Sequence, residues 1–230
     1  MTQQRWREQL LAYRWRLGAL FGGVLAPLCV FGALAEEVWS HEGVGWDAPL
    51  MRLVHGYATP TRDALMISVS TVGGARGMIP LCVLAVVTLA LRLRRRDAIF
   101  VALAYAGAEG LDGLAKAFFH SERPHLWAWP VHETGYGFPS GHAIGSMALL
   151  SALVVVLWPT RWRWPALIVA AVSIGVVGLS RVYLGVHYPS DVLAAWVAGL
   201  AWTVGLHLIL TSRVTNRSRQ WQSTQLTPAA

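Results

Sequence analysis

Six stretches of this chain run almost free of charge, separated by turn residues or clustered charges. Residues 17–35 form the first. A second apolar region, 64–91, is interrupted by Gly73-Gly74-Ala75-Arg76-Gly77, which predicts a short interfacial helix, a break, and then a span over 77–93. The third run, 98–119, carries Glu109, Asp112 and Lys116; runs 143–160, 164–180 and 192–212 follow. A bilayer core of ~30 Å needs ~20 helical residues, which these runs supply with modest trimming or tilt. In lipid every backbone polar group must be satisfied internally, so each run is expected to be a helix. Strict alternation is absent and the runs are too long for barrel strands. The fold class expected is all-α: a polytopic membrane protein of six transmembrane helices, with a short interfacial helix before the second span.

Composition strengthens this reading. Hydrophobic residues make up 55% of the 230 positions and charged residues 13%, against ~25% charged in ordinary globular chains. One apolar run alone would read as a buried core helix, but six leave too little polar surface to solvate a globule. Cys29 and Cys82 lie inside apolar runs, so neither a disulfide framework nor a C-x-x-C pair is available. The net charge of +7 is explained by placement. Arg5, Arg7, Arg14 and Arg16 precede the first span; Arg92, Arg94, Arg95 and Arg96 follow the second; Arg161 and Arg163 follow the fourth; Arg213, Arg217 and Arg219 follow the sixth. These 13 of the 19 basic residues lie on alternate connections. The positive-inside rule puts that face, and both termini, in the cytoplasm, and no nucleic-acid partner is needed. Seven tryptophans near span ends, among them Trp39, Trp127 and Trp164, suit the interface. The expected division is a cytoplasmic segment 1–16, a membrane domain 17–212 and a cytoplasmic tail 213–230, with no internal repeat. Residues 1–35 resemble a cleavable signal peptide, yet the run is long for one, so a retained anchor is expected.

Three polar clusters lie on connections facing away from the basic side. Lys116-Ala-Phe-Phe-His-Ser-Glu-Arg123-Pro124 ends the third span. Pro139-Ser140-Gly141-His142 precedes the fourth. Ser180-Arg181-Val-Tyr-Leu-Gly-Val-His187-Tyr-Pro-Ser-Asp191 joins the fifth to the sixth. Two spans separate the second cluster from the third, which returns the chain to the same face. Each cluster has an ordinary explanation: cations at span ends snorkel, a serine before a helix caps it, and a His–Asp pair four apart sits on a surface. Together they suit a phosphate ester. Lys116, Arg123 and Arg181 offer positive charge to non-bridging oxygens, Arg as a fork and Lys, the chain's only lysine, as a point. At ~4 Å and an effective dielectric of ~20 each such contact has a Coulomb energy of ~4 kcal/mol before desolvation. Ser140 and Gly141 can turn helix N-terminal N–H groups toward an anion. His187 and His142 are candidates for nucleophile and acid.

The spacings K-x6-R-P, P-S-G-H and S-R-x5-H-x3-D resemble the three-part signature of the type 2 phosphatidic acid phosphatase family, of the lipid phosphatase and vanadium haloperoxidase superfamily. The resemblance covers residues 60–210. It implies a six-helix membrane core with its active site at the outer surface. It also implies that His187 is the nucleophile of a phosphohistidine intermediate and that Asp191 accepts a hydrogen bond from His187. His142 would then protonate the leaving group, and Lys116, Arg123, Ser140, Gly141 and Arg181 would hold the phosphoryl group. The family needs no metal or other cofactor, and carboxylates near these clusters are too few for a two-metal clamp. Glu122, beside Arg123, puts negative charge near an anion site; pairing with His120 or His125 is one account of it. Glu109 and Asp112 are expensive in lipid and are expected to face the bundle interior, with Asp112 supporting Lys116 four residues on. His120, His125 and His132 are expected to be loop residues.

The function expected is hydrolysis of a lipid phosphate or diphosphate, with undecaprenyl diphosphate, phosphatidic acid and phosphatidylglycerol phosphate as candidate substrates. The partners are then the lipid phosphate and the bilayer, in a bacterial inner membrane. Two alternatives stay open: a phosphotransferase that passes the same phosphohistidine to a hydroxyl, and a non-enzymatic lipid-phosphate binder or transporter.

Overall fold

The computed structural model describes residues 14–40 and 44–225, with side chains through residue 211. Eight helices follow one another among these residues: α1 (Arg14–Trp39), α2 (Asp47–His55), α3 (Pro60–Gly73), α4 (Ala75–Leu91), α5 (Arg95–Phe119), α6 (Gly141–Leu157), α7 (Arg163–Tyr183) and α8 (Pro189–Gln225). Arg5, Arg7 and the expected tail beyond residue 225 lie outside the described residues.

Local chemistry sets the boundaries. In α1 the turn over Phe21–Leu25 widens to a π-type turn just ahead of Pro27; proline lacks the N–H and its ring crowds the carbonyl four residues back, which a wide turn relieves. Thr59 caps α3 by accepting from Arg62 N at 3.3 Å, and Pro60 fills the first helical position. Between α3 and α4 the chain turns extended at Gly74 (φ −93°, ψ −169°), which is the break expected from the glycine cluster. The α7 end is a Schellman turn. Gly185 takes φ +77°, its N–H donates to Val182 O at 3.1 Å, and Val186 N donates to Arg181 O at 3.2 Å. That turn is tight enough to leave only residues 184–188 between α7 and α8.

Among the described residues five helices are long and apolar enough to cross a membrane, counting α3 and α4 as one continuous stretch, Pro60–Leu91; α6 is apolar but only 17 residues long. The expected six spans are thus approximated by five long ones and a shorter central helix. One interfacial helix was expected before the second span, and two short helices, α2 and α3, stand there. Gly45, Gly56 and Pro60 divide this region too finely for a single element. Helix α6 is the hub, packed on α5, α7 and α8. Its Leu149 and Ala152 join Cys82, Leu89, Phe100 and Val101 in one core cluster, while Ala143, Ile144 and Ala148 join Val182, Val192 and Ala195 in another. Leu84, Leu91, Ile168 and Val169 point outward, as lipid-facing side chains do. Helix α3 lies across the end of α7, with Tyr183 Oη donating to Asp63 at 2.6 Å and Gly73 against Val177. The α5 end, the α6 start and the α7–α8 connector therefore share one end of the bundle.

Candidate active site

At that end the three polar clusters meet. His187 sits in the α7–α8 connector and is 1% exposed. Its Nε2 lies 3.0 Å from Arg123 Nη1. A guanidinium only donates, so Nε2 carries the lone pair and the ring proton is on Nδ1. Nδ1 donates to Gly137 O at 2.8 Å. Asp191 Oδ2 is 3.5 Å from Nδ1 and instead accepts from Tyr188 N at 2.8 Å. The nearest acceptor for the imidazole is thus a backbone carbonyl, with Asp191 behind it as a buried neighbouring charge. Burial first, and then the nearby Arg181, Arg123, Lys116 and His142, hold the His187 imidazole well below its ordinary value.

The cations ring this imidazole. Arg123 follows α5 and clamps the loop between α5 and α6. Its Nε donates to Gly135 O at 3.1 Å, Nη2 to Thr134 O at 3.2 Å and Nη1 to Val186 O at 3.0 Å. Arg181, in the last turn of α7, is 1% exposed; Nη1 donates to Ser70 of α3, Nη2 meets Glu133, and Nε has no partner among the described residues. Lys116 Nζ donates to Asp112 Oδ2 at 2.7 Å, the support expected from their spacing. A Cβ built on Gly141 would lie 3.2 Å from Lys116 Nζ and 3.0 Å from Asp112 Oδ2, so a glycine here lets the start of α6 approach the ammonium. The cap role open to Ser140 is not taken: its Oγ is fully buried and makes no hydrogen bond, while Ser140 N donates to Asp191 O at 3.3 Å. His142 lies one residue into α6, with its ring against Gly74.

Sequence reasoning missed one side chain in this cup. Glu133 reaches in from the α5–α6 loop, pairing with Arg181 and lying 3.6 Å from Arg123 Nη2. Burial alone would raise its carboxyl, but Arg181 foremost, with His142 and Arg123, holds it below its ordinary value. Glu122, the acid that drew attention beside Arg123, is exposed. Between Asp112 and Asp191 the chain has only these two carboxylates, and that scarcity was the one signal available for Glu133. A second omission is Asp47 at the start of α2. It is 5% exposed and accepts from Ser190 N at 2.9 Å and from Ser190 Oγ, which ties α2 to the first turn of α8 between His187 and Asp191. His120, with φ +48° at the end of α5, packs edge-on to Tyr136, and His125 stacks on Trp129; both stay outside the cup. Glu109 lies against Gly145 of α6.

A cup of buried guanidiniums, a lysine, a buried hydroxyl and an imidazole whose Nε2 lone pair faces Arg123 can bind a phosphoryl group and attack it once that guanidinium turns to the phosphate. Comparison with known proteins agrees in fold and lineage. The chain is 27% identical to an undecaprenyl-diphosphatase of Sulfolobus acidocaldarius, over 81% of this chain and 86% of that one. It is 27% identical to phosphatidylglycerophosphatase B of Bacillus subtilis, over 61% of this chain and 71% of that one. Its fold matches the crystal structure of a transmembrane PAP2-type phosphatidylglycerolphosphate phosphatase from Bacillus subtilis, with a TM-score of 0.73 at 23% identity, covering 80% of this chain and 93% of the other. Residues 97–215, just over half the chain and the stretch that carries Lys116, Arg123, His142, Arg181, His187 and Asp191, match the PAP2 superfamily, and this integral membrane protein belongs to it.

Proposed function

We propose that the chain hydrolyses a lipid phosphate or diphosphate at this cup through a phosphohistidine on His187. The observation that carries the reading is the state of His187: its Nδ1 proton is engaged by Gly137 O, and its Nε2 lone pair faces the Arg123 guanidinium. When the phosphoryl group arrives, Arg123 Nη1 passes its hydrogen bond from Nε2 to a non-bridging oxygen, and Arg181 exchanges Glu133 for another. Ser140 Oγ, Gly141 and Lys116 hold the rest. Nε2 attacks phosphorus; the P–N bond forms, the bond to the leaving oxygen breaks, and His142 gives that oxygen its proton. Asp191, too far for the shortest bond in the resting state, stabilises the imidazolium that results. Water then attacks phosphorus with His142 taking its proton, the P–N bond breaks, and phosphate departs.

The likeness to an undecaprenyl-diphosphatase and to phosphatidylglycerophosphatase B puts undecaprenyl diphosphate, phosphatidylglycerol phosphate and phosphatidic acid first among substrates to try. An apolar groove of about 450 Å³ runs between α1, α5 and α8. Leu28, Phe31, Leu114, Phe118 and Trp202 line it, together with Pro139, the neighbour of Ser140 in the cup. That adjacency supports the groove as the place for the substrate's tail. The basic connections Arg92–Arg96 and Arg161–Arg163 lie at the opposite end of the bundle, which supports a cup facing the exterior of a bacterial inner membrane with both termini in the cytoplasm.

His187→Ala tests the reading directly. With a panel of purified lipid phosphates in detergent, the variant is expected to release no phosphate and to trap no acid-labile phosphoenzyme. Hydrolysis at the parent rate by this variant would remove the mechanism.

A further inference from the structure

The α3–α4 elbow lies outside residues 97–215, and none of the three polar clusters includes it, yet it touches two of them. Ser70, the 4% exposed last-turn serine of α3, accepts from Arg181. Four residues on, Gly74 meets His142. A Cβ built on Gly74 would lie 2.8 Å from Cδ2 and 3.2 Å from Cε1 of that imidazole, and closer still to Nε2. Nothing about the Gly74 backbone asks for glycine, because φ −93° and ψ −169° are open to any residue. The lack of a side chain is therefore required by the ring and not by the chain's path.

We infer that Gly74 is a positioning residue for His142: the bare backbone of the elbow forms the wall that fixes Nε2 where the leaving oxygen departs. The inference rests on the proposed role of His142 as acid. The His142 ring is the movable end of a side chain, so a methyl group at position 74 displaces the ring and spares the helices. The elbow thus sets the geometry of proton donation, while Lys116, Arg123 and Arg181 set binding. Proton donation matters most when the departing oxygen is a poor leaving group.

Two lipid-tailed probes separate these effects: an alkyl phosphate, whose alkoxide needs a proton, and a nitrophenyl phosphate carrying the same alkyl chain, whose phenolate leaves without one. His142→Ala is expected to lose about 10²–10⁴-fold in kcat on the alkyl probe and little on the nitrophenyl probe. Gly74→Ala is expected to show the same pattern more weakly, about 10–100-fold against near-parent turnover, with KM unchanged on both. Gly175→Ala, on α7 with nothing near its Cβ, serves as the matched control and should match the parent on both probes. Equal losses on the two probes by Gly74→Ala, or no loss on either, would overturn the inference. If His142→Ala itself fails to discriminate between the probes, the role given to His142 fails instead.

Discussion

At the scale of single residues, two groups of the cup that would meet a phosphate already have partners within the chain. Arg123 covers the lone pair of His187 and Glu133 covers Arg181. Removing the resident negative charge should therefore favour an incoming anion. Glu133→Gln is expected to strengthen inhibition by vanadate, a mimic of five-coordinate phosphorus, by about 10-fold, since a charged hydrogen bond to a guanidinium is worth ~1.5–3 kcal/mol; dose–response curves at fixed substrate read this. The sign of the pH effect on stability follows from His187. Its folded-state value lies below the ordinary 6.5, so below that pH the unfolded chain binds a proton that the folded one refuses. Stability rises with pH through this window and is lost as pH falls from 6.5. Thermal unfolding in detergent should show a falling Tm on acidification, with a shallower slope in His187→Asn. Glu133, held low by Arg181, acts with the same sign in the more acidic window below the ordinary carboxylate value. The ring of site residues was legible in the sequence because a charge or a histidine beside lipid is expensive and rare. Glu133 was not, because a loop carries no periodicity and the eye goes to the acid next to Arg123. Nor was the acceptor for His187: a backbone carbonyl such as Gly137 O has no sequence signature.

At the scale of elements, position comes from how helices end. The Schellman turn at Gly185 sets His187 in a short connector two residues ahead of α8. The glycine break before α4 was legible from the cluster Gly73-Gly74-Ala75-Arg76-Gly77. Helix α2 was not: nine residues bounded by glycines carry too little pattern, and its contribution is tertiary. Asp47 at its start holds both polar groups of Ser190 in the first turn of α8. Asp47→Ala leaves them buried without a partner, at a cost of about 1–3 kcal/mol. The variant should unfold at lower temperature and lose kcat more than KM, since the turn it releases holds His187 and Asp191. An unchanged Tm would show that the tether bears no strain.

At the scale of the whole molecule, lipid as solvent made the fold readable. Helices that are apolar all round announce themselves, and alternate basic connections give the direction to be tested. The groove between α1, α5 and α8 was not readable, because it exists only once distant helices pack. If it takes the tail, filling it changes chain-length preference and leaves the chemistry alone. Ala201→Phe, at a groove-lining position of α8, is expected to raise KM several-fold for long-chain phosphates while short-chain analogues keep parent values. Orientation is checked by a cysteine at exposed Ala128 in the α5–α6 loop. An impermeant thiol reagent should label it in intact spheroplasts, and protection until lysis would reverse the topology.

The carboxylate lodged on Arg181 also bears on how each cycle ends. Inorganic phosphate left in a pocket of two guanidiniums and an ammonium would leave slowly if the empty pocket had nothing to fall back on. Glu133 offers the two guanidiniums a tethered substitute, as Asp112 does the ammonium, so expelling the product would not strand buried charge. On the proposed roles, some grip on the substrate would be given up in exchange for turnover that resists free phosphate.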